Sequence, residues 1–155
     1  MHQIRPARSA DAPAIAALLA GIGWFGVYEA TTPAQATAHV RSLIESAADR
    51  SLLLVAEHAD QGLCGYCAVH WLPTAIIQGW EAYLSELFVA ESARSLGLGH
   101  GLLAAAVQAA RERDCLRIWL VNNRQRSSYE RGFYTKQGWS EQAQMARFVL
   151  PLAPL

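Results

Sequence analysis

At 155 residues, with 52% apolar and 17% charged side chains, the chain has the composition of one folded domain and not of a disordered segment. Thirteen basic residues balance thirteen acidic ones, so no net field draws in nucleic acid or an anionic membrane, and neither is an expected partner. An odd set of three cysteines, without a secretory framework, points to a reducing, cytoplasmic setting.

In chain order, residues 3–5 read as a short first strand and residues 11–20 as a helix, with Asp11 at its N-cap and Pro13 in its first turn. Arg5 and Arg8 ahead of an uncharged apolar stretch imitate an export signal. Gly21, Gly23 and Gly26 break that stretch too early for a membrane span, which needs ~20 continuous residues. A loop carrying Trp24, Phe25 and Tyr28 follows, then a helix opened by Pro33 that runs to about residue 48. Strands are expected at 51–58, 63–71 and 82–89, with a turn at 59–62. Small and polar residues at 90–101 lead into a helix to about residue 113, and 115–121 reads as a buried strand. A helix over 127–137, stopped by Gly138, and a last strand over 142–150 complete the order. Runs of strands mixed with helices predict an α/β (α+β) single domain over 1–155, with a partly antiparallel central sheet.

Cys64 and Cys67 have the spacing of a redox or zinc pair, but they lie inside an alternating apolar run. On a strand, residues three apart face opposite sides, and neither thiol gains a helix N-terminus to lower its pKa. No second pair exists to complete a zinc site, so no metal is expected.

The most informative stretch is Arg94-Ser95-Leu96-Gly97-Leu98-Gly99-His100-Gly101, between a strand and a helix. Glycines let successive backbone N–H groups turn toward one point, and the first amides of a helix carry partial positive charge. An anion is therefore stabilised there, and Arg94 adds a fork of donors. A nucleotide P-loop would need Gly-Lys-Ser/Thr, yet Leu102 follows Gly101; the dinucleotide pattern fails at the same residue. Gly21-Ile22-Gly23-Trp24-Phe25-Gly26 does match that pattern literally, but it follows a helix and reads as a loop.

The form Arg/Gln-x-x-Gly-x-Gly/Ala over residues 94–99 resembles the GNAT superfamily of acetyltransferases. The likeness extends to Ile4-Arg5-Pro6-Ala7 with Asp11-Ala12, to residues 83–89, and to Phe133-Tyr134-x-x-x-Gly138-Trp139. It implies a mixed, mostly antiparallel sheet flanked by helices, with a splayed strand pair forming a cleft for coenzyme A. It also implies acetyl-CoA as the acyl-donor cosubstrate, with its pyrophosphate on Arg94, Ser95, Leu96, Gly97, Leu98, Gly99, His100 and Gly101. Main-chain contacts from Leu87, Phe88 and Val89 to the thioester arm are implied as well, with Asn123 and then Ser127 as further contacts. Residues 80–89 are also similar to the spermidine/spermine and thialysine acetyltransferases. Those carry two adjacent acidic residues where this chain has Ser85 and Glu86.

Transfer from a thioester to an amine needs a base for an ammonium of pKa ~10, donors for the oxyanion and a proton for the departing sulfur. The resemblance assigns the last role to Tyr134; its alternative is a core aromatic with a bonded hydroxyl. Glu86 is the candidate base, or else a carboxylate that only binds a cationic acceptor. Trp24, Phe25, Tyr28 and Trp80 are the candidate substrate wall, or simply core. The expected reaction is acetylation of a primary amine on a small molecule by direct attack in a ternary complex. The alternatives are a protein or peptide acceptor and a non-catalytic CoA-binding module. A homodimer is implied by the superfamily, with residues 145–150 as a candidate edge.

Overall fold

A computed structural model describes residues 1–154, which form two compact units: Met1–Leu120, and the residues from Val121 onward. The first unit carries a five-stranded sheet in the order β1-β2-β3-β4-β5. The strands are β1 (His2–Pro6), β2 (Ser51–His58), β3 (Gly62–Thr74), β4 (Gly79–Val89) and β5 (Arg117–Leu120). The first three junctions are antiparallel and β4–β5 is parallel. The parallel join requires a crossover, which α4 (Leu98–Glu112) supplies.

Helices cover both faces. On one, α1 (Ala12–Ile22) and α3 (Pro33–Glu45) bury Ile15, Ala16, Leu19, Ala36 and Val40 against Leu53, Val55, Tyr66 and Ala68. Pro33 sits at the start of α3 beside a capping box. There Thr32 Oγ1 accepts from the Gln35 amide, and Gln35 Oε1 accepts from the Thr32 amide. On the other face α4 packs across β2, β3 and β4 with Leu98, Leu102, Leu103, Ala106 and Ala110 buried. The approach is closest at Gly65. A Cβ there would lie 3.0 Å from Ala56 Cβ and 3.0 Å from Leu102 Cδ1. Ala56 cannot yield without moving backbone, so Gly65→Ala is expected to lower stability by about 1–3 kcal/mol, read from a urea midpoint.

Asp11 does not cap α1 with its side chain as expected. Its carboxylate instead accepts from Arg5 Nη1 and Nη2 at 2.8 and 2.9 Å and from the Arg8 amide at 2.7 Å, tying β1 to the helix that follows. The Arg5 hydrogen bonds hold the Asp11 carboxyl below the usual range, against the opposing effect of burial. A depressed carboxyl stabilises the fold above its unfolded pKa of ~3.9, and that contribution is lost as pH falls through the folded value. Asp11→Asn should therefore cost about 1.5–3 kcal/mol at pH 7. The gap between mutant and parent should close below pH ~4, and urea titrations at pH 7 and pH 3 measure it.

The second unit holds α5 (Ser127–Glu130) and one 3-10 turn, Thr135–Gln137. The single helix expected over 127–137 is broken because Gly132 adopts a left-handed φ of 68°. Gly138 ends the turn with φ 89°, the left-handed C-terminal role expected of it. The last strand expected over 142–150 does not form. That segment is turn and coil, with Met145, Phe148, Val149 and Leu150 exposed. Alternating apolar residues specify a strand only where a partner edge takes them up. Among the described residues no helix is long and apolar enough to cross a membrane.

Candidate active site

The turn at 94–101 has the backbone an anion cradle requires. A 3-10 turn, Glu91–Ala93, ends at Arg94, which is extended and exposed. Ser95 (φ 70°) and Gly97 (φ 79°) then take the left-handed conformation and α4 begins. Among the described residues, the amides of Ser95, Leu96, Gly97, Leu98 and Gly99 donate to no acceptor, and the amide of Gly101 donates to Gly97 O. Such amides concentrate positive potential at the helix start. Leu98 does not join them with its side chain, which is buried in the core. At Gly101 a Cβ would sit 3.3 Å from the Ile4 side chain of β1, which would have to shift slightly to admit it. Beside the turn, a cavity of about 220 Å³ runs between the C-terminal half of α1 and Ala90, Glu91 and Arg94.

β4 leads into this turn and carries an irregularity that sets up the rest. Val69 pairs with Leu84 and Ala68 pairs with Glu86, so Ser85 is an extra residue. Its hydroxyl shares a 2.7 Å hydrogen bond with His70 Nε2. The ladder to β5 ends at Leu84–Leu120, whereas Glu86, Leu87, Phe88 and Val89 continue, paired to Ala68, Cys67, Tyr66 and Gly65 of β3. The outer edge of β4 is thus left without a strand from Ser85 onward. A bulge that twists a strand away from its neighbour has this effect.

Glu86 is half-buried and has no cationic partner among the described residues. Glu81, on the same strand, is ion-paired with Arg117. The carboxylate of Glu86 instead lies among phenols. Burial first, then the charge of Glu86 and a hydrogen bond to it, push the Tyr66 hydroxyl far up. Tyr28 is raised by burial and then by the same charge. The Cys67 thiol, behind it in the sheet, is pushed up to about 12 by the same two causes. Tyr66 and Tyr28 therefore stay protonated at neutral pH, and Tyr66 donates to the carboxylate.

Of the aromatic residues expected at the site, three come together. Phe25 contacts Tyr28 (6.3 Å between centroids), Trp24 (6.4 Å) and Phe88 of β4 (5.3 Å), and Trp24 reaches Phe88 at 6.1 Å. The short helix α2 (Gly26–Glu29), read from sequence as plain loop, holds Tyr28 in this group. Trp80 is not brought to it. Alternation sends its side chain to the opposite face from Glu81, where it lines a larger cavity of about 380 Å³ with Arg113 and Cys115.

The sequence reading did not single out Tyr66, Tyr83 or Trp119. Tyr83 pairs with His70, and its ring stacks on Trp119 at 4.3 Å and 24°, on the face that bears Glu86. Within the second unit, Tyr134 sits at the start of the 3-10 turn. Its ring stands edge-on to Phe133 at 4.9 Å and to Trp139 at 6.0 Å, and its carbonyl accepts from the Gln137 and Trp139 amides. Asn123 Oδ1 accepts from the Gln125 amide, closing an Asx turn, and Ser127 opens α5.

A helix-start anion cradle, an unzipped strand edge leading from it and an unpaired carboxylate beyond make an arrangement suited to acyl transfer from a phosphorylated thioester. The chain belongs to the acetyltransferase (GNAT) family, whose model matches residues 23–139, and it is therefore an acyltransferase. No curated protein matches it in sequence. Among solved structures it resembles a transcriptional regulator from Bacillus halodurans C-125, with TM-score 0.79 and 24% identity over 97% of this chain and 100% of that one. It is also similar to an aminoglycoside acetyltransferase from an uncultured soil metagenomic sample, with TM-score 0.77 and 21% identity over 99% of each chain. A third is glucosamine-6-phosphate N-acetyltransferase from Arabidopsis thaliana, with TM-score 0.75 and 18% identity over 96% of this chain and 98% of that one. At these identities the likeness speaks for the fold.

Proposed function

We propose that the chain moves an acetyl group from acetyl-CoA to a primary amine of a small molecule, by direct attack in a ternary complex. One observation carries this reading: Glu86 is a half-buried carboxylate without a cation, on an aromatic face beside the open edge of β4. Such a group is rarely left unpaired in a merely structural role. The pyrophosphate would be held by the amides of residues 95–99 and by Arg94, and the main chain of 87–89 would meet the thioester arm.

Acetyl-CoA supplies an activated acyl group when bound. Glu86, directly or through a water, takes a proton from the ammonium. The amine nitrogen bonds to the acyl carbon, the carbon–sulfur bond breaks, and the Tyr134 hydroxyl gives the departing sulfur its proton. Glu86 passes its first proton to solvent and takes the second from the nitrogen as the adduct collapses; once that too has gone to solvent and Tyr134 has recovered one, the net release is one proton per turnover.

A neutral chain with an aromatic acceptor face favours a small molecule over a strongly basic protein tail. Three free cysteines fit a cytoplasmic location. A homodimer is part of the same reading, because Met145, Phe148, Val149, Leu150 and Leu152 expose large apolar side chains in one short segment; light scattering tests it. The central experiment is CoA release with a panel of amines, run beside melting curves with acetyl-CoA. Turnover with any small amine supports the reading. A melting point raised by acetyl-CoA with no acceptor turned over would leave a binding module instead, and modification of peptides alone would move the acceptor class to proteins.

A further inference from the structure

We infer that the acceptor is a primary amine joined through a short chain to a flat aromatic ring, and that Tyr83 and Trp119 select it; this rests on the acetyltransfer reading above. The argument begins with the pairing at Ser85. In a regular strand Tyr83 and Glu86, three residues apart, would point to opposite faces. The extra residue brings them to one face, because Tyr83 pairs with His70, Glu86 pairs with Ala68, and His70 and Ala68 alternate regularly along β3. His70 Nε2 holds the Ser85 hydroxyl at 2.7 Å and fixes that arrangement.

The result is a row of rings crossing three strands, with His70 and Tyr83 6.1 Å apart and Tyr83 stacked on Trp119 at 4.3 Å. Trp119 keeps 37% of its surface exposed, a large planar apolar face left open to a visitor. The α1/α3 core reaches Tyr66 and Ala68 and does not include His70, Tyr83 or Trp119. Charge is distributed to match. Glu81 at the far end of the face is neutralised by Arg117, so the attraction for an ammonium centres on Glu86. Two residues of strand separate the Glu86 pair from the ring row, about 7 Å, which is the span of an amine on a two- or three-carbon spacer from its ring. An ammonium seated at Glu86 would then lay its ring against Trp119 and Tyr83 in offset or edge contact.

The test compares 2-phenylethylamine with hexylamine, which has the same charge and similar apolar bulk but no ring. The wild-type protein should favour 2-phenylethylamine by about tenfold or more in kcat/KM, the scale of one to two aromatic contacts. Trp119→Ala should bring that ratio close to one by raising KM for the aromatic amine far more than for hexylamine, and Trp119→Phe should restore most of it. A wild-type ratio near one, or an equal loss for both amines in Trp119→Ala, overturns the selection. Should the variants fail to fold, the wild-type ratio still decides. Acetyl-CoA binding by calorimetry separates the two levels: hexylamine turnover without ring preference sinks this inference alone, whereas no acetyl-CoA binding sinks the acetyltransfer reading and this inference with it.

Discussion

Glu86→Gln is expected to lower kcat for amine acetylation about 100-fold or more at pH 7, the usual worth of a positioned base. The acceptor is almost entirely protonated there, since a primary ammonium titrates near pH 10, and glutamine cannot accept its proton. The shape of the substitution is nearly unchanged, so acetyl-CoA affinity should hold. The sign of the pH dependence follows from the acceptor. Each unit of pH between 7 and 9 raises free amine about tenfold, so the deficit of the variant should shrink steadily across that range. A variant that raises KM and leaves kcat intact would reduce Glu86 to a carboxylate that only holds the ammonium. The phenols around it make such a split readable, because Tyr66 and Tyr28 remain protonated throughout the range and do not titrate on top of it.

Tyr134→Phe removes a single oxygen and should lower kcat by about 100-fold with acetyl-CoA binding kept. The departing thiolate has a free-thiol pKa of ~8.5, so at neutral pH it leaves more readily if it is given a proton as the bond breaks. The ring of Tyr134 is held edge-on by Phe133 and Trp139, and phenylalanine preserves those contacts. Loss of acetyl-CoA affinity in this variant would show that the hydroxyl serves binding, and an unchanged kcat would show that the sulfur leaves unaided. Calorimetry and steady-state kinetics on the same preparation decide among the three outcomes.

Much of the scaffold was legible because its elements announce themselves locally. Residues 51–58 form the strand expected of them to the residue, since a β-branched and leucine run ends at a turn. The left-handed Gly138 falls where the chemistry of helix C-termini puts it. What stayed hidden depended on partners. Ser85 looks like any strand residue, and only the pairing of β3 with β4 reveals it as an insertion. Without that insertion, alternation places Tyr83 opposite Glu86, so the face the two share cannot be read from the strand pattern alone. Gly132 was available as a signal that the helix over 127–137 would break, since it sits inside an otherwise helical pattern. The missing strand over 142–150 had no such warning, because its pattern is correct and its uptake depends on an edge elsewhere.

The order of strands across the sheet is their order along the chain. As the polypeptide leaves the ribosome, every strand therefore finds its one neighbour already synthesised, and the sheet can grow by accretion at a single edge. The junctions β2–β3 and β3–β4 close between hairpin arms, the arrangement that keeps the entropic cost of loop closure low. The exceptions are β2, which returns to β1 only after the helices between them, and β5, which must wait for the whole crossover helix before docking alongside β4. The cleft edge is accordingly the last piece of this sheet to be assembled, after the rest of the scaffold can already stand.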